Sequence, residues 1–189
     1  MNTTLQITLP EFDRMIRRNV FDRPHNLRIE LIQGAMHQQT SHTPAHESTV
    51  DKLSRWSVEH TNGNEVCIRV QNSIGLPELD SAPQPDIAWV RTGAYEKKRP
   101  QSEDVLLIIE VSDSSLSYDR GKKVRLYAEA GAADYWVVNL RENCLEVFRE
   151  PQDGEYESHV VIDRNGRVSP LAFPKLKLSL TKLFDWYET

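Results

Sequence analysis

The chain has 189 residues, 39% hydrophobic and 27% charged, which is ordinary for one folded domain and lacks the low-hydrophobicity signature of disorder. Its net charge of −5, from 23 basic and 28 acidic residues, argues against a broad non-specific nucleic-acid surface but leaves room for acidic metal ligands with a local basic rim. No apolar run approaches the roughly 18 residues of a membrane helix, and MNTTLQITLP has neither a basic n-region nor an apolar h-region, so a cytoplasmic protein without a leader is expected.

Thr8-Leu9-Pro10-Glu11 has the form of a capping box with proline in the first turn, and predicts a short helix to about Arg18. Residues 27–34 alternate, with Leu27, Ile29 and Leu31 on one side and Arg28, Glu30 and Ile32 on the other. They predict a strand, a turn at Gln33-Gly34 and a return strand to about Gln39. After a loop containing Pro44, residues 46–60 fit a helix ended by Asn62-Gly63-Asn64. Residues 66–74 are strand-like, and 75–85 form a loop with three prolines. Residues 86–90 give a short strand directly after Pro85.

Residues 105–111 form an apolar run interrupted only by Glu110, the pattern of a central strand covered on both faces. A helix capped by Ser117 or Asp119 should then run to Ala130, with Gly131 as its C-terminal cap. Strands at 135–138, 144–148 and 156–162 and a last helix at 179–187 complete the chain. The order predicts a single domain over residues 1–189, of α/β or α+β class, with a mixed sheet flanked by helices.

Three residues carry the chemistry. A carboxylate inside an apolar strand is costly unless it is paired or holds a metal, so Glu110 demands a partner. Asp86, opening the neighbouring strand, is placed to share a hard divalent cation with it. Lys123, on the following helix, is placed to orient an attacking hydroxide or offset negative charge. Taken singly, Asp86 reads as a turn residue and Lys123 as a solvated helix residue, and Glu110 reads equally as half of an ion pair. Helix register separates Lys122 from Lys123 by about 100°, and Tyr127, one turn on, favours Lys123 as the inward lysine. His42 and His46 are four apart, but Pro44 between them argues against a helical zinc pair. Asp119 reads as an N-cap, and Cys67 and Cys144 as free thiols in apolar stretches.

The stretch IIEVSDSSLSYDRGKKVRLYAEAGAADYWVVNL (108–140), with RIELIQG (28–34), the helix led by His46 and PQPDIAWV (83–90), resembles the restriction-endonuclease-like family of the Uma type, within the PD-(D/E)XK nuclease superfamily. The resemblance implies a restriction-endonuclease-like core and a Mg²⁺- or Mn²⁺-dependent endonuclease, with DNA as partner and a homodimer as the assembly. It matches Asp86 to the PD aspartate and Glu110 to the (D/E) position, both as metal ligands. The usual lysine falls at Ser112, and Lys123 matches a lysine that has moved to the next helix. Glu30 matches a position near the metal. The alternative is a catalytically inactive member of the fold that binds nucleic acid or protein.

Overall fold

The computed structural model describes residues 6–21, 28–39 and 42–185. Helix α1 (Leu9–Arg17) starts on the expected capping box: the Glu11 N–H donates to Thr8 Oγ1, and the Thr8 N–H donates to Glu11 Oε2 at 2.9 Å. A hairpin follows, β1 (Ile29–Ile32) with β2 (Ala35–Gln38), its register set by Glu30 opposite His37. Its two-residue turn has φ of +49° at Gln33 and +74° at Gly34, the twist that matches paired strands. A β-carbon at Gly34 would also come within 2.9 Å of the Gln6 side chain.

Helix α2 (Pro44–His60) begins two residues earlier than expected. Thr43 is its N-cap, and Pro44 takes the first turn, where a missing N–H costs nothing. The main sheet has six strands in the order β3 (Val66–Val70), β4 (Ile87–Arg91), β5 (Val105–Ser112), β6 (Asp134–Asn139), β7 (Cys144–Gln152), β8 (Glu155–Asp163). Only β5 and β6 run parallel, and a parallel pair needs a crossover. That crossover is helical over residues 116–129: α3 (Leu116–Tyr118), a π-wound turn (Asp119–Lys123), and α4 (Val124–Glu129). Two short strands, β9 (Arg167–Val168) and β10 (Leu178–Ser179), pair with each other ahead of α5 (Leu180–Phe184). The last helix was expected to reach Tyr187, which lies outside the described residues.

Each face of the sheet has its own core. Leu107, Ile109, Trp136 and Leu145 pack with Val50 and Leu53 of α2 and Leu180, Leu183 and Phe184 of α5. Ile108, Tyr135 and Val137 pack with Leu126 and Tyr127 of α4 and with Ile32 of the hairpin. The sheet is therefore mixed and covered by helices on both faces, as the order of elements predicted. Strand alternation puts Glu110 on the α4 face with Ile108. Helix α2, which carries His46, is anchored at its far end: Trp89 Nε1 donates at 2.9 Å to Ser57 Oγ, which donates to the Leu53 carbonyl at 2.7 Å. Replacing Ser57 by alanine strands a buried indole N–H, and Ser57→Ala is expected to lose about 1–3 kcal/mol in urea denaturation. Stability equal to wild type would remove that bond as an anchor.

Candidate active site

A cleft of about 340 Å³ opens where β4 and β5 part company, walled by β1–β2, the start of α2 and the π-wound turn. The last rung of the β4–β5 ladder is Ile87 opposite Ile109. Beyond it, side chains take over from backbone. The Asp86 N–H donates to Glu110 Oε2 at 3.3 Å, and the Val111 N–H donates to Asp86 Oδ2 at 2.8 Å. The two carboxyl groups are thus fixed beside each other by the ends of their own strands.

Lys123 arrives from the crossover. Its Nζ donates to Glu110 Oε1 at 2.8 Å and lies 3.6 Å from Glu30 Oε2 and 3.9 Å from Asp119 Oδ1. Tyr127 OH donates to the same Glu110 oxygen at 3.0 Å. The register argument distinguishing the two lysines holds: Lys122 turns outward and donates to His37 Nε2 at 2.9 Å. Glu30, whose facing the alternation left open, points into the cleft. It accepts from Tyr118 OH at 3.3 Å and from the Gln84 N–H at 3.2 Å.

Two sequence expectations are corrected here. Asp119 is not a helix cap. The helical segment already begins at Leu116, and the π-wound turn carries Asp119 inward, where its Oδ2 accepts from Ser112 Oγ at 2.7 Å and Ser115 Oγ at 2.6 Å. Ser112, where the usual lysine would stand, holds this aspartate instead. The histidines also come together despite Pro44: His42 enters from outside the helix, and its ring lies 3.9 Å, centroid to centroid, from that of His46. His46, whose role the sequence did not reveal, sets its Nε2 3.1 Å from Asp86 Oδ2.

The electrostatics are lopsided. Glu30 (3% exposed), Glu110 (3%) and Asp119 (2%) converge on one buried ammonium, Lys123 (5%), while Asp86 (7%) faces His46 in the same cleft. Burial pushes the Glu110 carboxyl up to about 8, with the Lys123 ammonium pulling the other way. Burial also pushes Asp119 up, against Lys123 and the two serine hydroxyls. For Asp86, burial is outweighed by the hydrogen bond and charge of His46, the Val111 N–H and Lys123, which hold the carboxyl below its ordinary value. Lys123 is opposed by burial too, yet Glu110, Glu30 and Asp119 keep it firmly charged. Burial first, and then the neighbouring His46, lower His42. Buried negative charge in excess calls for a cation, and carboxylate oxygens are the donors that hard divalent ions take. Asp86 and Glu110, fixed side by side at the ends of their strands, offer oxygens of that kind.

Comparison with known proteins agrees with this architecture. The profile of the Uma2 family, described as "Putative restriction endonuclease", matches residues 9–181. The crystal structure of "a putative nuclease belonging to DUF820" from Anabaena variabilis ATCC 29413 is similar at a TM-score of 0.74 and 18% identity, over 95% of this chain and 98% of that one, which shows a shared fold. Among curated proteins none matches. Among the described residues no helix is long and apolar enough to cross a membrane. The profile match spans most of the chain, and this protein belongs to the Uma2 family of restriction-endonuclease-like proteins.

Proposed function

We propose that this protein is a metal-dependent endonuclease that hydrolyses phosphodiester bonds in DNA, with Asp86, Glu110, Glu30 and Lys123 as its working residues. The observation that carries the reading is that one open cleft gathers four buried carboxyl groups, three of them around a single buried ammonium. A purely structural ion pair would balance its charges. Asp86 and Glu110 would hold a Mg²⁺ or Mn²⁺ ion, which supplies Lewis acidity toward phosphate oxygens and makes water more acidic.

The chain's own groups do the rest. Glu110 and Asp119 hold the Lys123 ammonium in the cleft, where it donates to an incoming hydroxide or to the oxygens of a phosphorus centre gaining charge. Tyr127 fixes Glu110 from behind, so that Lys123 and the carboxylate move as one unit. The Val111 N–H and His46 fix Asp86. Glu30, pinned by Tyr118 and the Gln84 N–H, faces Lys123 from the hairpin and orients water on that side. A twofold pair of chains would bring two such clefts to a duplex, one for each strand.

The test is cleavage of supercoiled plasmid, with labelled RNA in parallel. Nicked and linear DNA are expected with Mg²⁺ or Mn²⁺ and not with EDTA. Asp86→Asn is expected to slow the reaction by at least about 10²-fold. No metal-dependent cleavage by wild type would end the assignment and favour a nucleic-acid- or protein-binding member of the fold. So would full activity in Asp86→Asn.

A further inference from the structure

The back wall of the cleft carries donors of a different chemistry. One ring nitrogen of His42, one of His46 and one carboxylate oxygen of Asp86 lie within 4.8 Å of one another. His46 is buried, and with its Nε2 against Asp86 its Nδ1 has no hydrogen-bond partner among the described residues. A buried ring nitrogen without a partner is expensive, and the Nε2 contact with Asp86 does not relieve it. The Gln71 side-chain amide bridges two of the three groups. Its Nε2 donates to His42 Nδ1 and to Asp86 Oδ1, each at 3.3 Å, while Arg28 Nη1 orients it by donating to Gln71 Oε1 at 3.1 Å. A donor thus already sits between His42 and Asp86, on a spot that attracts positive charge.

We propose that His42, His46 and Asp86 form a second divalent-metal site, selective for imidazole-binding ions of the Co²⁺, Ni²⁺ and Zn²⁺ class. It shares Asp86 with the carboxylate site and extends the reading above. Imidazole nitrogens favour these ions over Mg²⁺, whereas the oxygen-only set of Asp86 and Glu110 does not discriminate against Mg²⁺. Ligand atoms around one tetrahedral ion stand about 3.3 Å apart, so the three groups must close on the ion. His42 makes that movement: it precedes the helix and is only half buried. Thr43 caps α2 by accepting from the His46 N–H, which holds the two histidines at the start of one helix.

The experiment is titration of the full chain with CoCl₂, read by calorimetry and by the visible absorption of imidazole-ligated Co²⁺, with MgCl₂ run alongside. Wild type is expected to bind two Co²⁺ per chain, one giving the imidazole band, but one Mg²⁺. His42→Ala and His46→Gln are each expected to lose the band and weaken that Co²⁺ site by more than about 10-fold, with Mg²⁺ binding kept. Glu110→Gln is expected to keep the band. His42 stands before the helix and half exposed, so His42→Ala keeps the test open if His46→Gln fails to fold. An unchanged band in His42→Ala overturns the proposal, and so does a band lost only in Glu110→Gln. Failure of DNA cleavage with Mg²⁺ leaves the Co²⁺ result standing, so the two readings fail separately.

Discussion

Lys123→Met is expected to abolish DNA cleavage while leaving a folded protein that still binds metal. Methionine keeps the length and apolar stem of lysine and deletes only the ammonium. In the native cleft that ammonium bonds to Glu110 and faces Glu30 and Asp119. Its removal leaves buried carboxylates without their counter-charge, ordinarily a loss of several kcal/mol. Glu110 has an escape, because burial already holds its carboxyl at about 8 with the lysine present. Without Lys123 it rises further and stays protonated at neutral pH, so most of the fold survives. Catalysis has no such escape, since a neutral side chain cannot stabilise charge developing at phosphorus. A fall of about 10²–10³-fold in single-turnover cleavage is expected. Lys123→Arg should not rescue it, because a planar guanidinium does not fit where a compact ammonium was buried. Lys122→Met is the control. Its partner is His37 on the cleft rim, and its rate is expected to stay within about tenfold of wild type, near 1.4 kcal/mol. Near-normal cleavage by a folded Lys123→Met would take Lys123 out of the site.

The separation of Lys122 from Lys123 was legible in the sequence because helix register lets only one of them face the sheet, and Tyr127 and the family resemblance both pointed to Lys123. So was the central strand. An apolar run ending in Glu110 has few ways to fold, and it forms β5 with helices over both faces. Alternation also tied Glu30 to Ile32, but not to a direction. The hairpin's facing is set by tertiary contacts: the Leu31–Ala82 bridge, the Gln33 N–H donating to Ser81 Oγ at 2.7 Å, and packing of Leu31 on Leu9 and Phe12 of α1. None of these leaves a local pattern.

Other features escaped for identifiable reasons. Pro44 reads as a break between His42 and His46, yet at the first turn of a helix proline is a start signal. The histidines meet because His42, just before the Thr43 cap, lays its ring beside that of His46, which spacing does not encode. Asp119 looks like a cap as long as the helix is taken to begin there. With the start at Leu116, the same residue falls inside a π-wound turn, a device found often at functional sites and signalled here by no motif beyond Gly121. Ile74 keeps step with the alternation of β3, but Gln71 has φ of +52° and ends the strand. Its side chain then reaches Asp86 and His42. Strands β9 and β10, two residues each, are too short for periodicity to register.

Glu110 makes the stability of the protein depend on pH in a way opposite to a salt-bridged surface carboxylate. Burial raises its carboxyl from an ordinary 4.5 to about 8 in the folded chain. A raised value means that the fold prefers the neutral acid. Glu110 therefore contributes its full stability below about pH 4.5 and loses it progressively as pH rises through 8. Each pH unit in that window costs about 1.4 kcal/mol, several kcal/mol in all. Glutamine at this position is neutral throughout. In EDTA, Glu110→Gln is thus expected to match wild type near pH 5 and to exceed it increasingly toward pH 8, in urea denaturation at constant ionic strength. Using the difference between the two proteins cancels the opposite trend of Asp86, whose lowered carboxyl favours folding as pH rises. Mg²⁺ should narrow the gap. Only the ionised carboxylate of wild type binds the ion, so metal uptake displaces the Glu110 proton, and affinity climbs with pH until about 8. At a hundredfold excess over Kd the ion adds about 2.7 kcal/mol to wild type and little to the variant. Parallel pH profiles for the two proteins in EDTA would show that Glu110 is ionised in the fold at every pH tested. Its charge would then be stabilised by Lys123, Tyr127 and the Asp86 N–H without an ion, and the case for a cation at this carboxylate would lose its electrostatic footing.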